Sequence, residues 1–349
     1  MICIGLDVHK KDTTVAWTDT ETGELGEPYA VPTGQVIEHL TALHGAKRVV
    51  MEAGDSSFFL ARKLKSCAVE VVVVDAYKAH RLLEACQGAK TDQLDATTLA
   101  VLLAQGYLDS AVVWVADDYI HQSRELTRYR QELSKDSTRV RNRIRGLLRR
   151  QGLVCPYTDL TGKGAGKWLN QATQGMPERV GRILEGMRAD LTAKADHLEQ
   201  VTELIAGEAQ VNELALLLQT VPGIGPLLAL TIVVEIGDIG RFETAQKLRG
   251  YSGLVPLVRQ SGERRYTGSL KKQGNHRLRW ALVMAAGHFA ASTKTRTLSL
   301  TGRYRHHVYK HGPNPAKVAL ARRLVDIIFA MLRDQTVFDS ERYFIQEVA

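Results

Sequence analysis

Residues 2–18 read ICIGLDVHKKDTTVAWT, and this stretch decides the fold class. Ile2 to Val8 and Thr13 to Thr18 are short runs rich in apolar and β-branched residues. The charged turn Lys10-Lys11-Asp12 separates them, so they predict two antiparallel strands. A third strand-like run, Pro28 to Val31, extends the pair into a meander.

The pattern then changes to helices alternating with buried strands. Gln35 to His44 and Ser57 to Cys67 have helical spacing, whereas Arg48 to Met51 and Val69 to Val74 are apolar strand-like runs. Such alternation predicts parallel strands joined by right-handed crossovers. Three meandering strands followed by parallel ones is the order of the α/β ribonuclease-H-like (RuvC-like) sheet, which we expect in residues 1–115.

Length and composition indicate an ordinary globular protein of two or three domains. The chain has 349 residues, of which 44% are hydrophobic, and its four cysteines form no Cys-x-x-Cys pair. Apolar runs stay well short of the roughly 18 to 20 residues of a membrane span, and the start resembles no signal peptide. We therefore expect a cytoplasmic protein that does not bind membranes.

The charge is unevenly distributed along the chain. Residues 1–110 carry a net charge of −5, residues 111–240 are neutral, and residues 241–349 carry +13. A carboxylate-rich first third joined to a basic last third is typical of a protein that binds metal at one end and a polyanion at the other. The alternative is that the basic residues only make helices soluble.

The middle of the chain, residues 116–215, is predicted to be helical and to form a coiled coil. Residues 121–150 form a long basic helix with one apolar face. A second helix carries an apolar seam at heptad spacing, made of Leu184, Met187, Leu191, Lys194, Leu198, Val201 and Ile205. Such a seam either joins two subunits or packs inside one chain as an antiparallel hairpin.

Four carboxylates are placed where a site for cutting phosphodiesters needs them. Asp7 lies in the first strand and Glu52 ends the fourth, while Asp92 and Asp95 are three residues apart in KTDQLDA and share a helix face. An acid inside an apolar strand costs several kcal/mol unless it is paired or binds a cation. Oxygen ligands, with no cysteine or histidine expected nearby, indicate Mg²⁺ or Mn²⁺. Taken singly, each carboxylate also has an ordinary structural explanation.

A basic segment, residues 259–280, is the second candidate. Its cations could bind phosphates, and its serines Ser261 and Ser269 are flanked by glycine. The cations are Arg259, Arg264, Arg265, Lys271, Lys272, Arg277 and Arg279. Composition alone favours a solvated basic loop that positions nucleic acid, because a free hydroxyl is a weak nucleophile.

The remaining residues, 216–349, are predicted to form a mainly α-helical domain. Val221 to Gly225, VPGIG, resembles the turn of a helix-hairpin-helix motif, which contacts phosphates, although a simple helix corner explains it equally well.

The motifs together resemble transposases of the insertion-sequence-110 family, in particular its 1111 subgroup. The resemblance rests on GLDVHK, MEAG, KTDQLDA, VPGIG, GYSGLVP, RQSG and KKQGNHRLRWAL in this order, from Ile4 to about Ala291. It implies a RuvC-like domain whose DEDD tetrad is Asp7, Glu52, Asp92 and Asp95. It also implies a catalytic serine at Ser261 of RQSG. Ser269 belongs to a second serine-containing stretch of the family pattern, and Ser252 stands where the family usually has alanine.

The resemblance also carries implications for partners. It implies donor and target DNA, a structured noncoding RNA that guides the protein to both, and a homodimer or a tetramer of two dimers. The active site would combine carboxylates of one subunit with the serine of another.

Two alternatives to a recombinase remain. One is a junction-resolving nuclease on the same sheet, in which water attacks and Ser261 is incidental. The other is a nucleic-acid-binding scaffold whose carboxylates are structural.

Overall fold

The computed structural model describes the backbone of residues 1–86, 92–261, 264–270 and 273–343. Side chains are described for the same residues except 83–86, 257–261, 264–269 and 343. Backbone contacts divide the chain into two compact units, Met1–Tyr119 and Ile120–Ala349.

The first unit is a six-stranded mixed sheet with helices on both faces. Its strands are β1 (Ile2–Val8), β2 (Asp12–Asp19), β3 (Tyr29–Pro32), β4 (Lys47–Glu52), β5 (Glu70–Val74) and β6 (Val112–Val113), in the order β3-β2-β1-β4-β5-β6. Its helices are α1 (Val36–Ala42), α2 (Ser57–Ser66), α3 (Ala76–Cys86) and α4 (Asp92–Ala104). β1, β2 and β3 are antiparallel, and β4 and β5 run parallel to β1, so the predicted mixed sheet is confirmed.

The two faces of the sheet bury different residues of the same strands. Ile4 and Leu6 of β1 face a core that α1 and α2 cover, whereas Cys3 packs with Leu99 and Leu102 of α4 on the other face. Alternate residues of a strand point to opposite faces. Asp7 therefore belongs to the face that α4 covers.

Gly5 explains how α4 comes so close to β1. A Cβ atom at Gly5 would lie 2.0 Å from the carbonyl oxygen of Ala96 and 2.8 Å from the amide nitrogen of Ala100. Any larger residue would push the helix away. The first turn of α4 is thereby held beside the end of β1.

The second unit is mainly helical, with one two-stranded sheet. Its helices are α5 (Asp118–Arg150, which begins in the first unit), α6 (Lys163–Gln174), α7 (Glu178–Val211), α8 (Glu213–Gln219), α9 (Pro226–Ile236), α10 (Ala245–Tyr251), α11 (His276–Ala291), α12 (Ser299–His311) and α13 (Pro313–Asp334). The sheet is β7 (Pro256–Ser261) with β8 (Arg264–Leu270). Short 3-10 helices occur at Thr33–Gln35, Asp109–Ala111, Ile239–Arg241, Thr293–Thr295 and Glu341–Tyr343.

The apolar seam of α7 packs inside the chain, in clusters that contain residues of α5, α6, α8 and α9. Leu184 and Leu191 share one core cluster with Ile144, and Ile205 shares another with Leu133. Toward the start of α5, the Ser123 hydroxyl donates to the Glu208 carboxylate, which lies near the end of α7. The two helices therefore run antiparallel, which is the hairpin alternative. Lys194, the polar seam position, pairs with Asp190 at 3.3 Å.

The VPGIG turn is a tightly packed helix corner. Gly223 has a positive φ of 91°, and a Cβ there would lie 2.5 Å from the amide nitrogen of Phe289 in α11. Val221 and Ile224 are buried in the core that α9, α11 and α13 share. Among the described residues, none of the helices has the length and apolar character that crossing a membrane demands.

Candidate metal centre and nucleic-acid interface

Three side chains converge at the end of β1. His9 Nε2 lies 3.1 Å from Asp7 Oδ2 and 3.3 Å from Asp92 Oδ2. One ligand atom from each of the three residues lies within 4.8 Å of the other two. The arrangement is compact enough to hold one cation.

The carboxylates crowd each other at this position. Burial raises the pKa of Asp7 above its ordinary value, the nearby carboxylates Asp92 and Asp95 raise it further, and His9 lowers it. Asp95 is partly buried, one helical turn beyond Asp92 in α4. Like charges held this close cost free energy that a bound divalent cation would offset. The residues therefore fit a metal ion.

Glu52 reaches the same edge of the sheet through strand register. β4 runs parallel to β1 with Leu6 opposite Met51, and Asp7 and Glu52 each follow one position later. Val50, two residues before Glu52, packs with Cys3 on the α4 face. Alternation puts Glu52 on that face too. Glu52 is not one of the three residues whose ligand atoms form the tight cluster.

The expectation of a site without histidine was wrong. His9 follows Asp7 by two positions, so strand alternation directs both side chains to one face. The motif GLDVHK contained this signal. An imidazole nitrogen widens the set of suitable metals toward Mn²⁺ and other transition ions.

The basic segment forms a β-hairpin, not the loop that its composition indicated. β7 pairs antiparallel with β8, with Ser261 opposite Arg264 and Arg259 opposite Tyr266. Val258 and Thr267 are strand-forming residues that composition-based reasoning undervalued. The side chains of Ser261, Ser269, Arg259, Arg264 and Arg265 lie outside the described residues, as do Lys271 and Lys272 altogether.

The serine that replaces the usual alanine, Ser252, is fully buried. Its Oγ donates a hydrogen bond of 2.9 Å to the carbonyl oxygen of Arg249. A serine that solvent and substrate cannot reach is not available as a nucleophile. This observation leaves Ser261 and Ser269 as candidates.

Two predicted nucleic-acid contacts, Arg277 and Arg279, have partners within the second unit. Arg277 Nη2 donates to Glu132 Oε1 at 2.8 Å. Arg279 donates through Nε to the carbonyl oxygen of Ser252 at 3.2 Å and through Nη2 to that of Gln273 at 3.1 Å. Arg279 thereby joins the chain before the hairpin to the chain after it, and Arg277 joins α11 to α5.

Two glycines bring the ends of the hairpin together. Gly253 and Gly274 both have positive φ, at 66° and 116°. A Cβ at Gly274 would lie only 2.8 Å from the Cα of Gly253. Next to these glycines, the backbone N–H of Asn275 donates a hydrogen bond of 2.7 Å to the carbonyl oxygen of Tyr251.

A fully buried carboxylate, Glu235 of α9, supports this junction. It accepts two hydrogen bonds from Arg128, at 2.8 and 3.0 Å, and one of 2.8 Å from Asn275 Nδ2. Arg124 Nε lies 4.0 Å from Glu235 Oε2. Burial alone would raise the pKa of Glu235, but the hydrogen bond and charge of Arg128 outweigh it and the pKa is lowered. Glu235 was not among the residues predicted from the sequence, although a lone acid in the apolar run TIVVEIG is a recognisable signal.

Comparison with known proteins gives two family matches. Residues 4–151 match a transposase model named for the DEDD domain of IS110 elements, and residues 215–300 match the transposase IS116/IS110/IS902 family. The first match contains the carboxylates, and the second contains the hairpin.

Individual relatives agree with these matches. The chain is 29% identical over 220 residues to the transposase for insertion sequence element IS1111A of Coxiella burnetii, covering 61% of this chain and 59% of that protein. It is 29% identical to a putative transposase of Sinorhizobium fredii, over 81% of this chain and 70% of that one. It is 31% identical to the pilin gene-inverting protein of Moraxella bovis, over 43% and 46%. With both domains matched and the motifs in order, the chain belongs to the IS116/IS110/IS902 family of transposases.

Proposed function

We propose that this protein cuts and rejoins DNA strands to move an insertion sequence. The observation that carries the proposal is the convergence of Asp7, His9 and Asp92, with Glu52 and Asp95 at the same sheet edge, inside the region that matches the transposase model. Relatives named as transposases and a gene-inverting protein support it, because inversion requires both cutting and rejoining.

The metal is proposed to be Mg²⁺ or Mn²⁺, with Asp7, Glu52, Asp92 and Asp95 as ligands. When bound, such ions stabilise negative charge on the attacking and leaving oxygens of a phosphoryl transfer. The chain itself would supply four carboxylates to hold the cations at the end of β1. His9 Nε2, beside Asp7, is placed to add a ligand or to exchange a proton.

The nucleophile is proposed to be Ser261. Its Oγ forms a bond to phosphorus as the strand's own ester bond to a deoxyribose oxygen breaks. The serine proton passes to a base, and the departing deoxyribose oxygen takes up a proton and leaves as a hydroxyl. A hydroxyl of another strand then reverses the exchange, which conserves the bond energy without nucleotide hydrolysis. Arg259, Arg264 and Arg265 are proposed to hold the phosphate, with Lys271 and Lys272 contributing to DNA binding.

The partners are proposed to be donor DNA, target DNA and a structured noncoding RNA that guides the protein to both. The excess of basic residues in the last third of the chain supports a polyanion partner. A dimer or tetramer is proposed to bring the serine of one subunit to the carboxylates of another. Because the seam residues of α7 are buried within the protomer, we propose that this assembly uses another surface.

The test is to trap the covalent intermediate. Purified protein with its element's RNA and DNA is denatured during the reaction, and DNA bound to protein is measured on a gel. We expect an adduct with the wild type and with Ser269→Ala, and none with Ser261→Ala. Loss of the adduct only in Ser269→Ala would assign the nucleophile to Ser269.

A nuclease that uses water is the second candidate. It is favoured by the fact that Asp7, His9 and Asp92 lie together within one compact unit, with no need for a serine from elsewhere. Metal-dependent cleavage without an adduct in any protein, the wild type included, would support it over the recombinase.

A further inference from the structure

A small basic cavity lies among α10, α12 and α13 in the second unit. Its volume is about 360 Å³. Helix α12 contributes Leu300, Arg303, Tyr304 and His307, which are spaced three and four residues apart and so share one helix face. Most of the cavity lies beyond residue 300, where the family match ends.

The opposite wall is a matching face of α13. Ala316, Ala319 and Leu320 form an apolar floor, and Arg322 and Arg323 stand above it. The two alanines leave open space where larger side chains would fill the gap between the helices. Side chains of both helices therefore shape the cavity.

The charge of the cavity is strongly positive. Arg249, Arg303, Arg322 and Arg323 line it, and no acidic residue does so among the described residues. Asp326 Oδ1 lies 3.2 Å from Arg249 Nε and Asp326 Oδ2 lies 3.5 Å from Arg323 Nη1, so this carboxylate compensates the charge of those two guanidinium groups. Asp326 pairs with only two of the four arginines, so the cavity keeps an excess of positive charge that a bound anion would compensate.

Several donors in the cavity are unused. Within the described part of the chain, Arg303 and Arg322 have no hydrogen-bonding or ion-pair partner. His307 Nδ1 is buried and also lacks a hydrogen bond there. Guanidinium groups bind phosphate oxygens in pairs, and Tyr304 offers an aromatic ring beside the apolar floor.

We propose that this cavity binds one unpaired nucleotide of the nucleic acid on which the protein acts, with its phosphate on the arginines and its base against Tyr304 and the alanine floor. The volume lies at the lower end of the range for ligand pockets, about 300 to 1,000 Å³, so it admits a single nucleotide and not a duplex. Combining a cationic groove with an aromatic platform is the usual way to bind single strands. The proposal rests on the proposed function only in taking the ligand to be nucleic acid.

The test compares two charge-matched double variants. Arg303→Gln with Arg322→Gln removes two cavity charges, and Arg305→Gln with Lys310→Gln removes two exposed charges of α12 that do not line the cavity. Affinity is measured by fluorescence anisotropy at fixed salt, with a 12-nucleotide single strand of DNA, the same strand of RNA, and a blunt duplex. Thermal melting checks that all proteins are folded.

We expect the cavity variant to lose about tenfold or more in affinity for a single strand, with a smaller loss for duplex. The control variant should lose little affinity, and equally for every probe, because its two charges attract nucleic acid only at long range. A loss of affinity confined to the RNA strand or to the DNA strand would support the site and identify which nucleic acid it binds. Equal losses in both variants, or a loss equal for duplex and single strand, would overturn the proposal. Because binding is measured without strand cleavage, a failure of the cavity is distinguishable from a failure of the proposed transposase activity.

Discussion

Neutralising Glu235 should destabilise the second unit strongly. In Glu235→Gln the buried carboxylate becomes an amide, so Arg128 loses an ionic partner held by two hydrogen bonds of 2.8 and 3.0 Å. Arg124, only 13% exposed, loses the same counter-charge. Breaking one side of a buried ion pair costs about 3 to 5 kcal/mol.

The matched control is Glu132→Gln. Glu132 also accepts from an arginine, Arg277, at 2.8 Å, but its side chain is 56% exposed. Exposed pairs contribute about 0 to 1 kcal/mol. The two variants therefore make the same chemical change at a buried and at an exposed site.

The assay is urea unfolding followed by tryptophan fluorescence, with thermal melting alongside. Trp168 and Trp280 of the second unit contribute to the signal, as do Trp17 and Trp114 of the first. For a unit of this size each 1 kcal/mol shifts the melting temperature by about 2 to 4 °C, so Glu235→Gln should lower it by about 6 °C or more. Since the pKa of Glu235 is lowered, its stabilisation is present above the unfolded value of about 4.3 and is lost as pH falls below it. Equal losses in Glu235→Gln and Glu132→Gln, or a difference that persists at low pH, would refute the reasoning.

Three further predictions concern the first unit and α7. Gly5→Ala should destabilise the protein by about 1 to 3 kcal/mol and weaken Mn²⁺ binding, both measured by thermal melting with and without Mn²⁺. The control Gly34→Ala, where a Cβ would meet open space, should leave stability and Mn²⁺ binding unchanged. Asp7→Asn should raise the melting temperature without metal, because it relieves carboxylate crowding, and abolish the further rise on adding Mn²⁺. Leu191→Glu, at a buried position, should unfold the α5–α7 hairpin, and a folded protomer of unchanged stability in light scattering and melting would contradict that packing.

Much of the site was predictable because it follows from strand alternation and order. Asp7, Glu52 and the pair Asp92 and Asp95 are placed by elements whose patterns are strong over short stretches. His9 follows the same rule and was visible in principle. His9 was overlooked because the nearby acids were interpreted as a metal site with oxygen ligands only.

Other features depend on tertiary structure that local patterns do not encode. The heptad pattern of α7 specifies an apolar seam but does not say whether its partner is α5 or another subunit. β7 and β8 contain three arginines, and two lysines follow β8 in the sequence, so the high charge made their strand propensity hard to recognise. The cavity lined by Arg303 and Arg322 depends on how two consecutive helices, α12 and α13, pack against each other.

We propose that the carboxylate cluster carries out DNA strand transfer with a divalent metal. The most direct measurement is element excision in cells, detected by amplifying the joined element ends, with the wild type, Asp7→Asn and the control Asp12→Asn, whose carboxylate is exposed on the neighbouring strand. We predict that joined ends disappear with Asp7→Asn and persist with Asp12→Asn, while both proteins accumulate to normal levels. Excision by Asp7→Asn at the wild-type level would contradict the account.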